Sequence, residues 1–243
     1  MLLSAFARTS ANAMISALLA PTCAACSAVL DTPLDGCVCR NCWASVVRIN
    51  PPVCDICGDP LSPLVDPPVC LHCASHPRVI TRTRAIGAYD GALRELIHAL
   101  KYQQRHSIAY GLAALMRASG RSVLHNADCV VPVPLHPRRE RTRGFNQARE
   151  LARRLGPPLL EPLVRVRHTV PQVELAADQR HDNLRGAFRI RKRATNLKGM
   201  RVMLVDDVST TGATLEACAM VLRDAGVAEV RALTAARVVS RNH

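Results

Sequence analysis

Aromatic side chains are scarce in this sequence, with one Trp, three Tyr and three Phe among 243 residues. Single-stranded nucleic acid is gripped by base–aromatic stacking as well as by positive charge, so the composition favours phosphate binding over base reading. Acidic residues are also few, 19 against 32 Lys and Arg, leaving a formal net charge of +13. A field of that sign draws phosphates, nucleotides or nucleic acid within the range that screening allows. A long apolar run is missing too. Residues 1–20 are interrupted by Arg8, Asn12 and several Ser and Thr, short of the roughly 18 residues that a membrane span needs. Stable membrane insertion is therefore not expected, and the segment reads as an amphipathic helix lying on the rest of the protein. A cleavable leader ending near Ala20 is the alternative, opposed by its charge order, since the basic residue follows the first apolar ones instead of preceding them.

Nearly half of the residues are apolar, 49%, which suits a globular chain with a packed core. The length accommodates one ordinary α/β domain and a smaller unit. The smaller unit is marked by cysteine. Eleven are present, and eight form four C-x-x-C pairs: Cys23/Cys26, Cys39/Cys42, Cys54/Cys57 and Cys70/Cys73. Twelve residues separate the pairs within each half, and each cysteine of the first half recurs 31 positions later in the second, the signature of a tandem duplication. A C-x-x-C turn presents two thiolates from one tight loop, and two such loops complete the tetrahedral sulfur cage that zinc prefers. Two structural Zn²⁺ ribbons, each closed by four cysteines, are the expectation, with the metal supplying much of the folding energy of a segment poor in large apolar side chains. Disulfides would require an oxidising compartment, and an iron–sulfur cluster fits the regular two-by-two pairing less well. Cys37, Cys129 and Cys218 fall outside the pattern and read as buried or incidental thiols.

From about residue 81 the pairs stop and strands alternate with helices. The apolar patterning predicts a strand and turn at 83–91, a helical stretch at 92–118 broken near 103–106, a strand at 128–134 and a helix at 146–156 capped by Asn146 and stopped by Gly156. A buried strand at 200–208, a helix at 214–226 and a last strand at 228–238 follow. Such alternation implies an open, mostly parallel sheet with helices on both faces. The division is thus an N-terminal amphipathic segment at 1–20, a double ribbon at 21–80 and an α/β domain at 81–243.

In such sheets ligands bind beyond the carboxyl ends of the strands, which directs attention to LVDDVSTTGAT at 204–214. Asp206 and Asp207 are read as the end of the strand. Thr210, Thr211, Gly212, Ala213 and Thr214 open the next helix, where backbone N–H groups, hydroxyls and a glycine make a site for a phosphate monoester. A second constellation at 131–152 carries Arg138, Arg139, Arg141 and Arg143 on an expected mobile loop, with guanidinium groups suited to pyrophosphate oxygens.

The stretch at 204–214 resembles the phosphoribosyl pyrophosphate motif of type I phosphoribosyltransferases along its whole length. That resemblance implies that Asp206 and Asp207 engage the ribose hydroxyls, directly or through Mg²⁺, and that residues 210–214 cradle the 5′-phosphate; the loop arginines Arg138, Arg139 and Arg143 are then expected to face the pyrophosphate, with Arg143, Asp206 and Asp207 as catalytic candidates. VPVPL, RGFNQ at 143–147, the T-x-x-Q and R-x-x-N-L-x-x-A-F pattern within 168–188 and the paired knuckles resemble the ComF family from Cys23 to about Val239. The family resemblance implies a type I phosphoribosyltransferase-like fold behind a zinc module, a cytoplasmic role and, in some relatives, handling of incoming single-stranded DNA with competence-machinery proteins. Three functions stay open at this point: phosphoribosyl transfer to a nitrogenous acceptor, a non-catalytic DNA-uptake factor using the zinc module and the basic segment from Arg180 to Arg201, and a regulator sensing phosphoribosyl pyrophosphate.

Overall fold

The computed structural model describes residues 2–103, 105–167, 186–192 and 194–239. The T-x-x-Q motif and most of the pattern at 168–188 lie outside these residues, as does Arg180 at the start of the basic segment.

Helix α1, Leu2–Leu19, lies on the first half of the cysteine module. Its buried Asn12 accepts the backbone N–H of Leu34, Ser16 donates to the Leu30 carbonyl, and Arg8 pairs with Asp35 at 2.6 Å. Among the described residues no helix is long and apolar enough to cross a membrane.

The duplication is structural as well as sequential. Cys23 donates its N–H to the Ala28 carbonyl, and Cys54, 31 residues on, donates to Asp59, both at 2.7 Å. The Ala24–Cys37 backbone bond recurs as Asp55–Pro68, both at 2.8 Å, and the Thr22–Val29 bridge recurs as Val53–Pro60. Cys39 caps α2, Arg40–Ala44, and Cys70 occupies the same place before α3, Leu71–Ser75.

The α/β domain follows. Strand β1, Ile80–Ala88, leads to α4, Gly91–Tyr102, whose cap is Asp90. Helices α5, Ile108–Ser119, and α6, Arg121–Leu124, precede β2, Cys129–Pro132. Helices α7, Pro137–Arg143, and α8, Gln147–Ala152, come next, then an antiparallel pair, β3 Leu163–Arg165 and β4 Phe188–Ile190. Strand β5, Arg201–Ser209, helix α9, Ala213–Asp224, and β6, Glu229–Arg237, complete the order.

The main sheet is parallel, in the order β1-β6-β5-β2. Alternation along each strand assigns its two faces. Val130, Met203, Val205, Leu233 and Ala235 pack under α4, α5 and α8, whereas Val131, Val202, Leu204, Val230 and Ala232 pack under α9 and the β3–β4 pair. Helices thus cover both faces, as the alternation in the sequence predicts.

Three local expectations need correction. The arginine-rich stretch contains the short helix α7, because Pro137 pre-sets its first turn, His136 caps it and Gly144 ends it in the left-handed region at φ +78°. Helix α8 stops at Ala152, four residues before Gly156, although Asn146 caps it as expected through the N–H groups of Ala148 and Arg149. Finally β5 runs on to Ser209, so the two acids lie inside its last turn of pleat and not at its end.

Candidate active site

Because successive side chains of a strand point to opposite faces, Asp206 and Asp207 cannot act as one carboxylate pair. Asp207 shares the face of Met203 and Val205, and there the ammonium of Lys101, from the last turn of α4, meets its carboxylate at 2.8 Å. Both side chains are nearly buried, 14% and 12% exposed. Burial disfavours the Lys101 ammonium, but the carboxylates of Asp207 and then Asp206 outweigh that cost and hold its pKa above the ordinary value. Asp206 faces α9. Its Oδ1 accepts the N–H of Asp207 at 2.8 Å, and burial, followed by the adjacent Asp207 charge, pushes its pKa up to about 7. Arg165 of β3 and the buried thiol of Cys218 from α9 lie in the same electrostatic neighbourhood.

Beyond Ser209 the chain turns through residues 210–212 into α9. Gly212 stands at the helix N-cap with φ +81°, a conformation L side chains rarely adopt. The Thr211 hydroxyl accepts the N–H of Ala213 at 3.3 Å, and the first helical carbonyl, from Gly212, accepts from Glu216. This leaves a short loop of half-buried Thr210, Thr211 and Gly212, followed by buried Ala213 and half-buried Thr214, directly beyond the end of β5.

The arginines separate by role. Arg143 donates to Gln147 at 3.2 Å and to the Tyr102 hydroxyl at 3.4 Å, with its guanidinium 5.3 Å from the centre of the Tyr102 ring. It is therefore held against the C-terminal end of α4. Arg139 acts electrostatically on Arg165, which lies by Asp206. Arg138 and Arg141 are exposed on α7. Lys101, Tyr102 and Arg165 are the site neighbours that the sequence reading missed. Lys101 carried a signal, as the only lysine in the first 191 residues of an arginine-rich chain, placed at a helix end.

The eight paired cysteines form two clusters, each with its four sulfur atoms within 4.8 Å of one another. Sulfur–sulfur distances are 3.8 Å for Cys23–Cys42 and Cys26–Cys39, and 3.7 Å for Cys57–Cys70. A tetrahedron with zinc–sulfur bonds of about 2.3 Å has edges of about 3.8 Å, so both clusters fit Zn²⁺. The same distances exclude disulfides, whose sulfurs approach to about 2.05 Å. Backbone amides favour the thiolate form. Burial pushes Cys23 and Cys54 up, but N–H groups of Cys39 and Ala25 on the first, and of Cys57 and Cys70 on the second, bring them down to about 6 and about 7.

These observations define a class: a phosphoribosyltransferase-like α/β domain carried behind a double zinc ribbon. Residues 140–242 match the family described as Phosphoribosyl transferase domain, and residues 14–74 match Double zinc ribbon domain. Competence protein F of Haemophilus influenzae is 33% identical over 225 residues, covering 88% of this chain and 96% of that protein. DNA utilization protein YhgH of Salmonella typhimurium is 34% identical over 207 residues, 80% of this chain and 87% of its own length. Competence protein ComFC of Bacillus subtilis is 28% identical over 198 residues, covering 79% and 80%. The chain belongs to the ComF family.

Proposed function

We propose that this protein binds phosphoribosyl pyrophosphate with Mg²⁺ at the carboxyl end of β5 and transfers the phosphoribosyl group to a nitrogenous acceptor. The observation that carries this reading is the continuity of β5, its two carboxylates and the 210–214 loop into the N-terminus of α9, with Lys101 salt-bridged to Asp207. Asp207, beside Lys101, and Asp206, on the other face of β5, both offer hard oxygen donors, and either would hold Mg²⁺ or a ribose hydroxyl on its own side of the strand. When bound, the ion neutralises charge on the pyrophosphate. Residues 210–214 bind the 5′-phosphate through backbone N–H groups. Lys101 and Arg143, with Arg139 and Arg138 on the adjacent helix, supply cations toward the leaving pyrophosphate. In the transfer the acceptor nitrogen bonds to C1′, the bond from C1′ to the pyrophosphate oxygen breaks with its electron pair leaving on the pyrophosphate, and the nitrogen releases its proton to water.

Phosphorus NMR of the zinc-loaded protein with Mg²⁺, phosphoribosyl pyrophosphate and pooled nitrogenous acceptors tests the reaction. Pyrophosphate release that depends on an acceptor is the expected result, and bound ligand without release across the pool would contradict transfer.

A second reading, a cytoplasmic DNA-handling factor with or without turnover, is favoured by the names of the relatives and by the formal net charge of +13. Single-stranded DNA and competence-machinery proteins are its partners. Affinity for an oligonucleotide that falls steeply with salt supports it.

A further inference from the structure

Five residues beyond Cys73, the linker from the second ribbon to β1 passes α9, and here one guanidinium stands against the phosphate loop. Arg78 directs Nη2 at the Thr211 carbonyl, 3.5 Å away, and its Nη1 lies 3.0 Å from where a Cβ on Gly212 would be. Among the described residues that long contact is its only hydrogen bond, so most of its five N–H donors remain for an incoming oxyanion. The next residue is fixed as well: the N–H of Val79 donates to the Glu216 carboxylate, in the first turn of α9. Arg78 also bears on the second cluster, where its charge favours the Cys73 thiolate.

The same ribbon also grips the carboxyl end of the sheet. Arg237, which pairs in register with Ser209 at the end of β5, donates from Nε to Asp59 at 2.7 Å and from Nη1 to the Cys57 carbonyl. The second ribbon thus touches the region of the phosphate loop twice, through Arg78 at Thr211 and Gly212 and through Arg237 beside Ser209. The first ribbon is tied to the domain elsewhere: Trp43 lies over α5, Cys37 meets Ser107, and the segment beyond Cys42 reaches β1 through the Ile49 N–H to the Ile86 carbonyl at 2.9 Å.

We propose that Arg78 is a further ligand for the phosphate monoester bound by residues 210–214, and that the second ribbon delivers it, so that filling of that metal site and phosphate binding are linked. This rests on the phosphoribosyl pyrophosphate reading given above. A guanidinium–phosphate contact adds charge-assisted hydrogen bonds that backbone N–H groups alone lack, and linkage requires the effect to be reciprocal.

Calorimetric titration of the zinc-loaded full chain with Mg²⁺–phosphoribosyl pyrophosphate, ribose 5-phosphate and Mg²⁺–pyrophosphate tests the idea in wild type, Arg78→Gln and Arg78→Lys, each checked for two zinc ions per chain. Roughly tenfold weaker binding of the first two ligands is expected for Arg78→Gln, with unchanged pyrophosphate binding and partial rescue by Arg78→Lys. Chelator-driven zinc release gives the reciprocal readout: phosphoribosyl pyrophosphate should slow one of the two release phases in wild type, and less so in Arg78→Gln. Wild-type affinity for ribose 5-phosphate in Arg78→Gln would overturn the role of Arg78 and leave the phosphoribosyl pyrophosphate reading intact. Equal weakening toward pyrophosphate, without rescue by Lys, would reduce Arg78 to a scaffold residue and overturn the proposal. Absence of binding by wild type would overturn the underlying reading itself.

Discussion

The two ribbons share a backbone and differ in how they dock. Ser27 and Gly58 are equivalent, 31 residues apart, and both have positive φ, +60° and +74°. The serine is exposed. At Gly58 a Cβ would meet the Thr83 carbonyl at 2.6 Å, because β1 closes on the second knuckle. Ala28 and Asp59 are also equivalent, yet only Asp59 has a side chain that can hold Arg237. In the first ribbon Trp43 makes the attachment, lying over Gly111 of α5 where a Cβ would approach the indole to 2.4 Å; its equivalent, Ala74, is exposed. One metal fold has thus been fastened to the same domain in two ways. The second fastening is the drier one: its four cysteines are all buried, while Cys26 of the first is exposed. A duplicated motif preserves what the metal requires, and the residues around it decide what the metal stabilises.

Breaking the metal sites themselves sharpens this contrast most. Structural zinc contributes about 10–16 kcal/mol in isolated zinc fingers, as much as the whole stability of a typical domain. Cys54→Ser is expected to abolish one zinc and the cooperative melting of the sheet, whereas Cys26→Ser removes one zinc and leaves the sheet melting as a unit; metal content and circular dichroism report both. The next effect is at the buried ion pair. Asp59→Ala strands the Arg237 guanidinium, 10% exposed, at a cost of about 3–5 kcal/mol. The exposed Arg8–Asp35 pair is its counterpart, and Asp35→Ala should leave the melting temperature unchanged. Exchange of the equivalent knuckle residues ranks third. Gly58→Ser should cost about 1–3 kcal/mol by overpacking and backbone strain, and Ser27→Gly should be close to neutral in denaturant unfolding.

The last effect is one of pH and lies away from both ribbons. Asp206 titrates near 7 when folded, against an ordinary 3.8. An acid whose pKa is raised on folding contributes stability below its unfolded pKa and loses it as pH rises through the folded one. Stability should therefore fall between about pH 4 and 7 through this group, and Asp206→Asn should flatten that slope in thermal melts. Binding of Mg²⁺, which needs the carboxylate, should strengthen over the upper part of the same range.

Much of this was legible in the sequence, for reasons that differ from part to part. The cysteine spacing encodes the clusters because a knuckle is local, and the strand–acid–loop–helix order at 204–214 encodes the candidate site because all its parts are contiguous. Even the opposed directions of Asp206 and Asp207 follow from a period of two. What stayed hidden depends on partners distant in the chain: Lys101 is 106 positions from Asp207, and Asp59 is 178 from Arg237. Helix α7 was concealed differently, since seven residues rich in arginine carry no apolar periodicity, and only Pro137 and Gly144 mark its ends.

The central claim is that β5, the 210–214 loop and Lys101 make one site for phosphoribosyl pyrophosphate. It is tested most directly by calorimetric titration of Mg²⁺–phosphoribosyl pyrophosphate into the zinc-loaded wild type and into an Asp206→Asn/Asp207→Asn variant that retains both zinc ions. One-to-one binding in the wild type, lost in the variant, is the predicted result. Equal affinity in the two proteins, or none in the wild type, would contradict it.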